Sequence, residues 1–348
     1  MRRELVTWTV LLGLIVAAFA ATVVILNSTL FSASGFARSY LGALARHDLE
    51  AALEIADISV PAEHGAASDD GSGATPIDTT GAGSMLLAGS HDLLRPSALS
   101  TLENIELADR TVNPDGSETV SFTFELDGQP TQSAFTVTRS GVRFGVFAEW
   151  EFTTAPLSIV RLSVLNAQEF TANGSEFVAP MQDVPTSYVV LTPSSFEISH
   201  NSTFLKADPV TVSATVPGST VRSSVSVVAN EAMIAQVQRE VNDYLDECAT
   251  QVVLLPTGCP FGQPMANRIV TTPEWSIAEY PPVTLTPGPD PASWLMPATD
   301  AAAHLLVDVR SIFDGSVSTF DKDVSFSASY LVTFLPDDQL LITAQYPD

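Results

Sequence analysis

The chain has 348 residues, with 40 acidic against 15 basic side chains and a formal net charge of −25. A surface this acidic repels anionic nucleic acid, so the composition argues against a nucleic-acid partner. Beyond its N-terminal apolar segment the chain is long enough for two or three domains with hydrophobic cores of their own.

An uncharged, apolar stretch follows the first four residues. It runs from Leu5 to Leu26, and a helix of that length spans the roughly 30 Å hydrocarbon layer of a bilayer. Arg2 and Arg3 precede it. The positive-inside rule therefore predicts a cytoplasmic tail over residues 1–4, a transmembrane helix over 5–26 and an extracytoplasmic body. A cleaved signal peptide is the alternative, although its apolar region usually covers only about 7–15 residues.

Residues 34–57 predict two short helices. Phe36, Tyr40 and Leu44 recur at helical spacing in the first, and Asp48 is placed to cap the second. The next stretch, residues 62–83, consists mainly of Gly, Ser, Ala, Thr and Asp. Such a composition offers little apolar surface to bury, so we expect a disordered loop there.

Alternating apolar residues then predict an antiparallel sheet with one buried face. The alternation is clearest from Val120 to Leu126, and Asp127-Gly128 is a typical turn sequence. The last strand of this group lies in FGVFAEWEF, residues 144–152. Helices followed by a meander predict an α+β domain over residues 34–155.

This order of elements resembles the nuclear transport factor 2-like (NTF2-like) fold. The helical part FARSYLGALARHDLEAALEIA, residues 36–56, is followed by a loop and by strands that end in FGVFAEWEF. The pattern is especially similar to the extracytoplasmic NTF2-like domains tethered to actinobacterial membranes. The resemblance implies a cone-shaped domain whose interior is a ligand pocket, an enzyme site or packed core. Tyr40, Asp57 and Trp150 are candidates to line such a cavity, and core or rim positions suit them equally well.

Residues 157–228 predict a small all-β domain. Val210, Val212, Ala214 and Val216 alternate with polar residues, as in a strand with one buried face. Asn173-Gly174 lies between two candidate strands, and a type I′ hairpin turn favours this dipeptide.

Residues 229–348 predict a second α+β domain. Asn230 is placed to cap a helix, and a long alternating strand runs from Val324 to Phe334. The order of elements echoes that of the first domain, which raises the hypothesis of two related NTF2-like units on either side of a β spacer. The overall fold class is therefore α+β.

A proline-rich strap covers residues 271–295 and carries Trp275, Tyr280 and Trp294. Because proline cannot donate to an inner strand ladder, this segment is predicted to be an edge strand or an extended surface segment. Its aromatic side chains could anchor a partner, or they could hold the strap on its own domain.

Cys248 and Cys259 are the two cysteines of the chain. In an extracytoplasmic setting, with the turn sequence Pro256-Thr257-Gly258 between them, they predict a disulfide that holds the strap to the preceding helix. Eleven-residue spacing does not fit a C-x-x-C redox motif, and no second Cys or His pair completes a zinc site. The five histidines form no HExxH motif, so no metal or cofactor is predicted. These histidines are His47, His64, His91, His200 and His304.

No G-x-S-x-G or S-x-x-K motif is present. The leading hypothesis is therefore a non-catalytic, single-pass membrane protein that contacts the lipid bilayer through Leu5–Leu26. It would act as an interaction or scaffold module for another envelope protein or a wall component. Small-ligand binding in an NTF2-like cavity is the alternative. An enzyme with an isomerase-like acid/base site in that cavity is the third hypothesis.

Overall fold

A computed structural model describes residues 2–60, 81–336 and 339–345. Most of the predicted loop 62–83 lies outside the described residues, as does His64. The chain is α+β, with one apolar N-terminal helix and a body made mostly of β-strands. It divides into two compact units. The first contains residues 1–164, 169–199 and 209–225, and the second contains residues 165–168, 200–208 and 226–348.

Helix α1 (Arg2–Ser28) opens the first unit. Its window Leu11–Ser28 has a mean hydropathy of 2.3, and none of that window is buried. The helix is apolar on all sides, and its length and apolarity are sufficient for it to cross a bilayer.

Two short helices follow, as the apolar spacing predicts. Helix α2 (Ala33–Ala45) begins after Ser32, whose side chain accepts a hydrogen bond from the Gly35 amide. Helix α3 (Leu49–Ile55) is capped in the same way by Asp48. These side chains satisfy amides that the first helical turn leaves without a partner. Further along lie α4 (Ala82–Leu86) and a 3₁₀ turn (Pro96–Ala98).

A four-stranded antiparallel meander packs against α2. Its strands are β1 (Leu102–Val112), β2 (Glu118–Leu126), β3 (Gln129–Arg143) and β4 (Phe147–Phe152), paired in that order. Strand β2 buries Val120, Phe122, Phe124 and Leu126 and turns the residues between them outward. The predicted alternation is therefore confirmed.

Two further sheets complete the first unit. One contains β5 (Leu157–Leu165), β8 (Thr186–Leu191) and β11 (Thr220–Ser226) in the order β11-β5-β8. The other contains β6 (Glu169–Ala172), β7 (Ser175–Val178), β9 (Ser194–Asn201) and the later part of β10 (Leu205–Ala214), in the order β10-β9-β6-β7. The Phe170 and Tyr188 rings, one from each sheet, lie 5.9 Å apart. Asn173 and Gly174 both have positive φ, as the predicted hairpin turn requires.

The α+β part shares one core with the β11-β5-β8 sheet. Leu157, Val189 and Leu191 are buried in the same apolar cluster as α2 and β2. The predicted segments 34–155 and 157–228 thus lie for the most part in one compact unit.

The second unit is built on helix α5 (Glu231–Ala249), which Asn230 caps. The helix buries Met233, Val237, Val241, Leu245 and Cys248. A sheet with two long strands faces it, β16 (Ser293–Arg310) and β17 (Val317–Leu335). The same sheet contains β13 (Arg268–Ile269), β14 (Glu274–Glu279), β15 (Thr286–Pro287) and β18 (Gln339–Gln345). The short strand β12 (Val228–Ala229) pairs with the start of β10.

The hydroxyl of Tyr40 offers a direct test of the shared core. Replacing Tyr40 with Phe removes the donor of a hydrogen bond to the buried Thr192 carbonyl. We expect the Tyr40→Phe variant to lose about 1–3 kcal/mol of unfolding free energy in the first unit. Urea unfolding of the full chain in detergent, followed by tryptophan fluorescence, measures the loss.

Tyr188→Phe is the matched control, because the Tyr188 side chain is equally buried but its hydroxyl donates to no main-chain carbonyl among the described residues. This second substitution should leave the unfolding free energy nearly unchanged. Equal losses in the two variants would contradict the structural role of the Tyr40 hydroxyl.

Candidate functional sites

The three predicted cavity-lining residues have different surroundings. Tyr40 is fully buried, and its hydroxyl donates to the Thr192 carbonyl at 2.8 Å and to the Pro156 carbonyl at 3.3 Å. Trp150 is half-buried and its indole donates to the Phe31 carbonyl at 2.9 Å. Asp57 is exposed just after α3. The structure does not bring these three side chains together around one cavity.

Aromatic side chains fill the space between α2 and the meander. The Tyr40 ring lies 5.3 Å from that of Phe152 and 5.9 Å from that of Phe135 in edge-on contacts, a favourable geometry for aromatic pairs. Burial raises the pKa of Tyr40 well above its ordinary value. The hydroxyl therefore stays protonated and serves as a donor to the Thr192 carbonyl.

A polar cleft of the first unit lies at the end of the meander that contains the turn between β2 and β3. Its volume is about 590 Å³. Its lining includes the carboxylates of Asp127 and Glu197, the amides of Gln129 and Asn173, and several hydroxyl side chains. Carboxylates, amides and hydroxyls bind ligands rich in hydroxyl or amide groups.

Hydrogen bonds hold the rim of this cleft in place. The Thr101 amide donates to Asp127 at 2.8 Å. The side chain of Asn173 donates to the Ser195 carbonyl at 3.0 Å and accepts from the Glu197 amide at 2.9 Å. No sequence pattern predicts this cleft, because its lining comes from several segments between His47 and Ser213. Asp127 and Asn173 carry the one local signal, and that signal predicts turns.

The strap residues pack largely on their own unit. Trp275 is 8% exposed, and its indole donates to the Val253 carbonyl at 2.8 Å. Trp294 is 1% exposed. Tyr280 is 37% exposed and its hydroxyl donates to the Asp246 carboxylate. Strands β14 and β15 pair with β16 along this segment, so two of the three aromatic side chains serve the core of the second unit.

The predicted disulfide between Cys248 and Cys259 is present, with an S–S distance of 2.05 Å. Other contacts close the same loop. The Thr257 amide donates to the Gln251 side chain at 2.8 Å, and the Tyr244 hydroxyl donates to the Gly258 carbonyl. Phe261, just beyond the disulfide, is buried, and its ring lies 5.0 Å from that of Trp275. The disulfide therefore fastens to α5 the segment that leads into the strap.

A histidine bridges two carboxylates on the long β16–β17 ribbon. His304 lies 2.8 Å from Asp323 through Nδ1 and 3.0 Å from Asp321 through Nε2. The hydrogen bond to Asp323 is the main cause of a raised His304 pKa, and both carboxylates add to it. Because both ring nitrogens face carboxylates, this arrangement favours the imidazolium form over a metal ligand.

Within residues 2–60, 81–336 and 339–345, the His, Cys, Asp and Glu side chains form no cluster of three or more that could hold a metal ion. The chain matches no protein-family model, no curated protein and no solved structure.

The disulfide provides the test for this part of the molecule. Replacing both Cys248 and Cys259 with Ser should lower the unfolding free energy of the second unit by about 3 kcal/mol, because the unfolded chain gains loop entropy. Urea unfolding of both proteins measures the difference. Thiol titration of the denatured, unreduced wild-type chain should find no free thiol, and a count of two would contradict the disulfide.

Proposed function

We propose that this chain is a single-pass membrane protein whose N-terminus is cytoplasmic and whose body is extracytoplasmic. In this proposal α1 is a permanent anchor and the helix-and-meander part of the first unit is an NTF2-like domain. The body acts without catalysis, as an interaction or scaffold module for another envelope protein or a wall component. Support comes from the length and apolarity of α1 and from Arg2 and Arg3 at its N-terminal end.

The observation that carries the proposal is the junction between α1 and the first unit. The side chain of Asn27 donates to the Val146 carbonyl at 2.7 Å and accepts from the Ala148 amide at 3.0 Å. These two hydrogen bonds join the end of the apolar helix directly to strand β4 and its preceding turn.

Aromatic contacts reinforce the same junction. The rings of Phe31 and Phe147 stack at a centroid distance of 4.3 Å, and Trp150 donates to the Phe31 carbonyl. Cleavage within the Phe31–Gly35 segment would remove Asn27 and Phe31 from the folded body. A helix whose end forms part of the folded body is expected of an anchor, whereas a cleaved signal peptide leaves the mature protein.

Exposed apolar side chains in the second unit support a protein-binding role. The turn between β16 and β17 presents Ile312, which is 62% exposed, and Phe313, which is 93% exposed. Val317, at the start of β17, is 53% exposed. Large apolar side chains grouped on a surface are typical of contact sites for other proteins.

Cross-linking in intact membranes tests the scaffold proposal. The wild-type chain should remain in the membrane pellet after an alkaline carbonate wash, and affinity purification should recover a reproducible cross-linked protein. The double variant Ile312→Ser/Phe313→Ser should lose most of that cross-linked protein, because its turn no longer offers an apolar contact.

Leu87→Ser is the matched control, since Leu87 is an 86% exposed apolar residue in the first unit. This control should keep the cross-linked protein. Failure to recover any reproducible protein from the wild-type chain would count against the scaffold role, and an unchanged yield from the double variant would exclude the β16–β17 turn as the contact.

The polar cleft favours a second candidate function, the binding of a small ligand rich in hydroxyl and amide groups. Side chains occupy the space between α2 and the meander, so the cleft is a better location for a ligand than that interior. Chitotetraose is a suitable probe because it carries both groups. Ligand-observed NMR with the full chain in detergent should detect binding that Glu197→Ala weakens. Glu176→Ala, at an exposed position outside the cleft, should leave it unchanged, and equal signals in all three proteins would exclude the cleft.

A further inference from the structure

The junction at Asn27 also fixes where the turn between β3 and β4 lies. The apolar run ends at Leu26, so Asn27 lies at the edge of the hydrocarbon layer if α1 spans the membrane as proposed. The Val146 carbonyl, which accepts the hydrogen bond from Asn27, belongs to this turn. Phe144 is only two residues away, and consecutive Cα atoms are about 3.8 Å apart. The turn therefore lies at the level of the lipid head groups.

The side chains at this level are apolar and exposed. Phe144 is 81% exposed and Leu30, in the linker after α1, is 68% exposed. Phe144 and Gly145 have φ values of 52° and 73°, and the Val146 amide donates to the Arg143 carbonyl, so the ring is carried on a tight hairpin turn. An exposed aromatic ring beside the end of an apolar helix suits insertion into the membrane interface.

Arginine side chains line two cavities that begin at the linker after α1. A cavity of about 550 Å³ is lined by Arg38 and Arg46, together with Leu30 from the linker. A neighbouring cavity of about 410 Å³ shares Leu30 and is lined by Arg143 and by one carboxylate, Glu149. Across the described residues, no ion pair with a carboxylate involves Arg38, Arg46 or Arg143. Three guanidinium groups thus line cavities that reach the end of α1, in a chain whose net charge is −25.

We propose that this surface, formed by Leu30, Arg38, Arg46, Arg143 and Phe144, lies on the bilayer that α1 crosses and binds the head groups of anionic phospholipids. We call it the juxtamembrane surface. Guanidinium groups bind phosphate oxygens through paired hydrogen bonds. The apolar residues between them fit the glycerol and upper acyl region of the lipid. The inference rests on the proposed anchor, and it adds a second, head-group-specific contact with the membrane.

A single introduced thiol can report on this contact, because both native cysteines are in the disulfide. Phe144→Cys is labelled with an environment-sensitive nitrobenzoxadiazole dye and the full chain is incorporated into nanodiscs. One set contains phosphatidylcholine alone and the other contains phosphatidylglycerol as well, each with or without lipids that carry a quencher near the head group. With phosphatidylglycerol, the dye at position 144 should be quenched severalfold.

Gln129→Cys is the matched control, since Gln129 is exposed at the opposite end of β3, roughly 45 Å away along an extended strand. Its dye should not be quenched. Adding Arg38→Gln and Arg143→Gln to the Phe144→Cys chain should abolish the extra quenching that phosphatidylglycerol causes. Equal quenching at positions 144 and 129, or equal quenching with and without phosphatidylglycerol, would overturn the proposal.

An alkaline wash of vesicles that hold the same chain separates this proposal from the anchor. Loss of the chain from the vesicles would overturn both proposals, because the juxtamembrane surface depends on a spanning α1. Retention of the chain with an unquenched dye at position 144 would leave the anchor intact and overturn the head-group contact alone.

Discussion

Two hydrogen bonds made by the side-chain amide of Asn27 fix the position of helix α1 on the rest of the first unit. The amide donates to the Val146 carbonyl and accepts from the Ala148 amide, the main-chain groups on either side of Phe147. It thus makes the two hydrogen bonds that a neighbouring strand would make to β4 at that point. The aromatic pair Phe31–Phe147 and the indole of Trp150 act on the next residues of the linker. Directional hydrogen bonds and ring stacking together leave the linker little freedom. A membrane-spanning helix joined in this way would set the orientation of the whole first unit.

Local sequence patterns predicted the elements that depend on neighbouring residues. Ser32, Asp48 and Asn230 cap helices by accepting hydrogen bonds from amides of the first turn. The sequence predicts the caps at Asp48 and Asn230. The alternation in β2 and the turn at Asn173-Gly174 also depend on a few adjacent positions. The disulfide could be predicted because a single turn separates its two cysteines.

Contacts between distant segments could not be predicted in this way. Tyr40 was a candidate cavity residue because a helix pattern shows which face is buried, but not whether that face meets a cavity or other side chains. Its partners, Pro156 and Thr192, lie more than a hundred positions away. The polar cleft and the juxtamembrane surface have the same origin, since residues from several segments form each of them. Sequence periodicity describes one element at a time and contains no information on which elements meet.

The hydrogen bond from Tyr40 to Thr192 also has a consequence for the order in which the chain folds. Its two residues are 152 positions apart, so α2 cannot complete its packing until the strand that ends at Leu191 has been synthesised. Until then, part of the apolar face of α2 remains exposed. Folds that depend on such distant contacts form slowly, and the exposed apolar surface makes them prone to aggregate. The packing of α2 is therefore completed only after segments more than a hundred positions further along the chain have reached it.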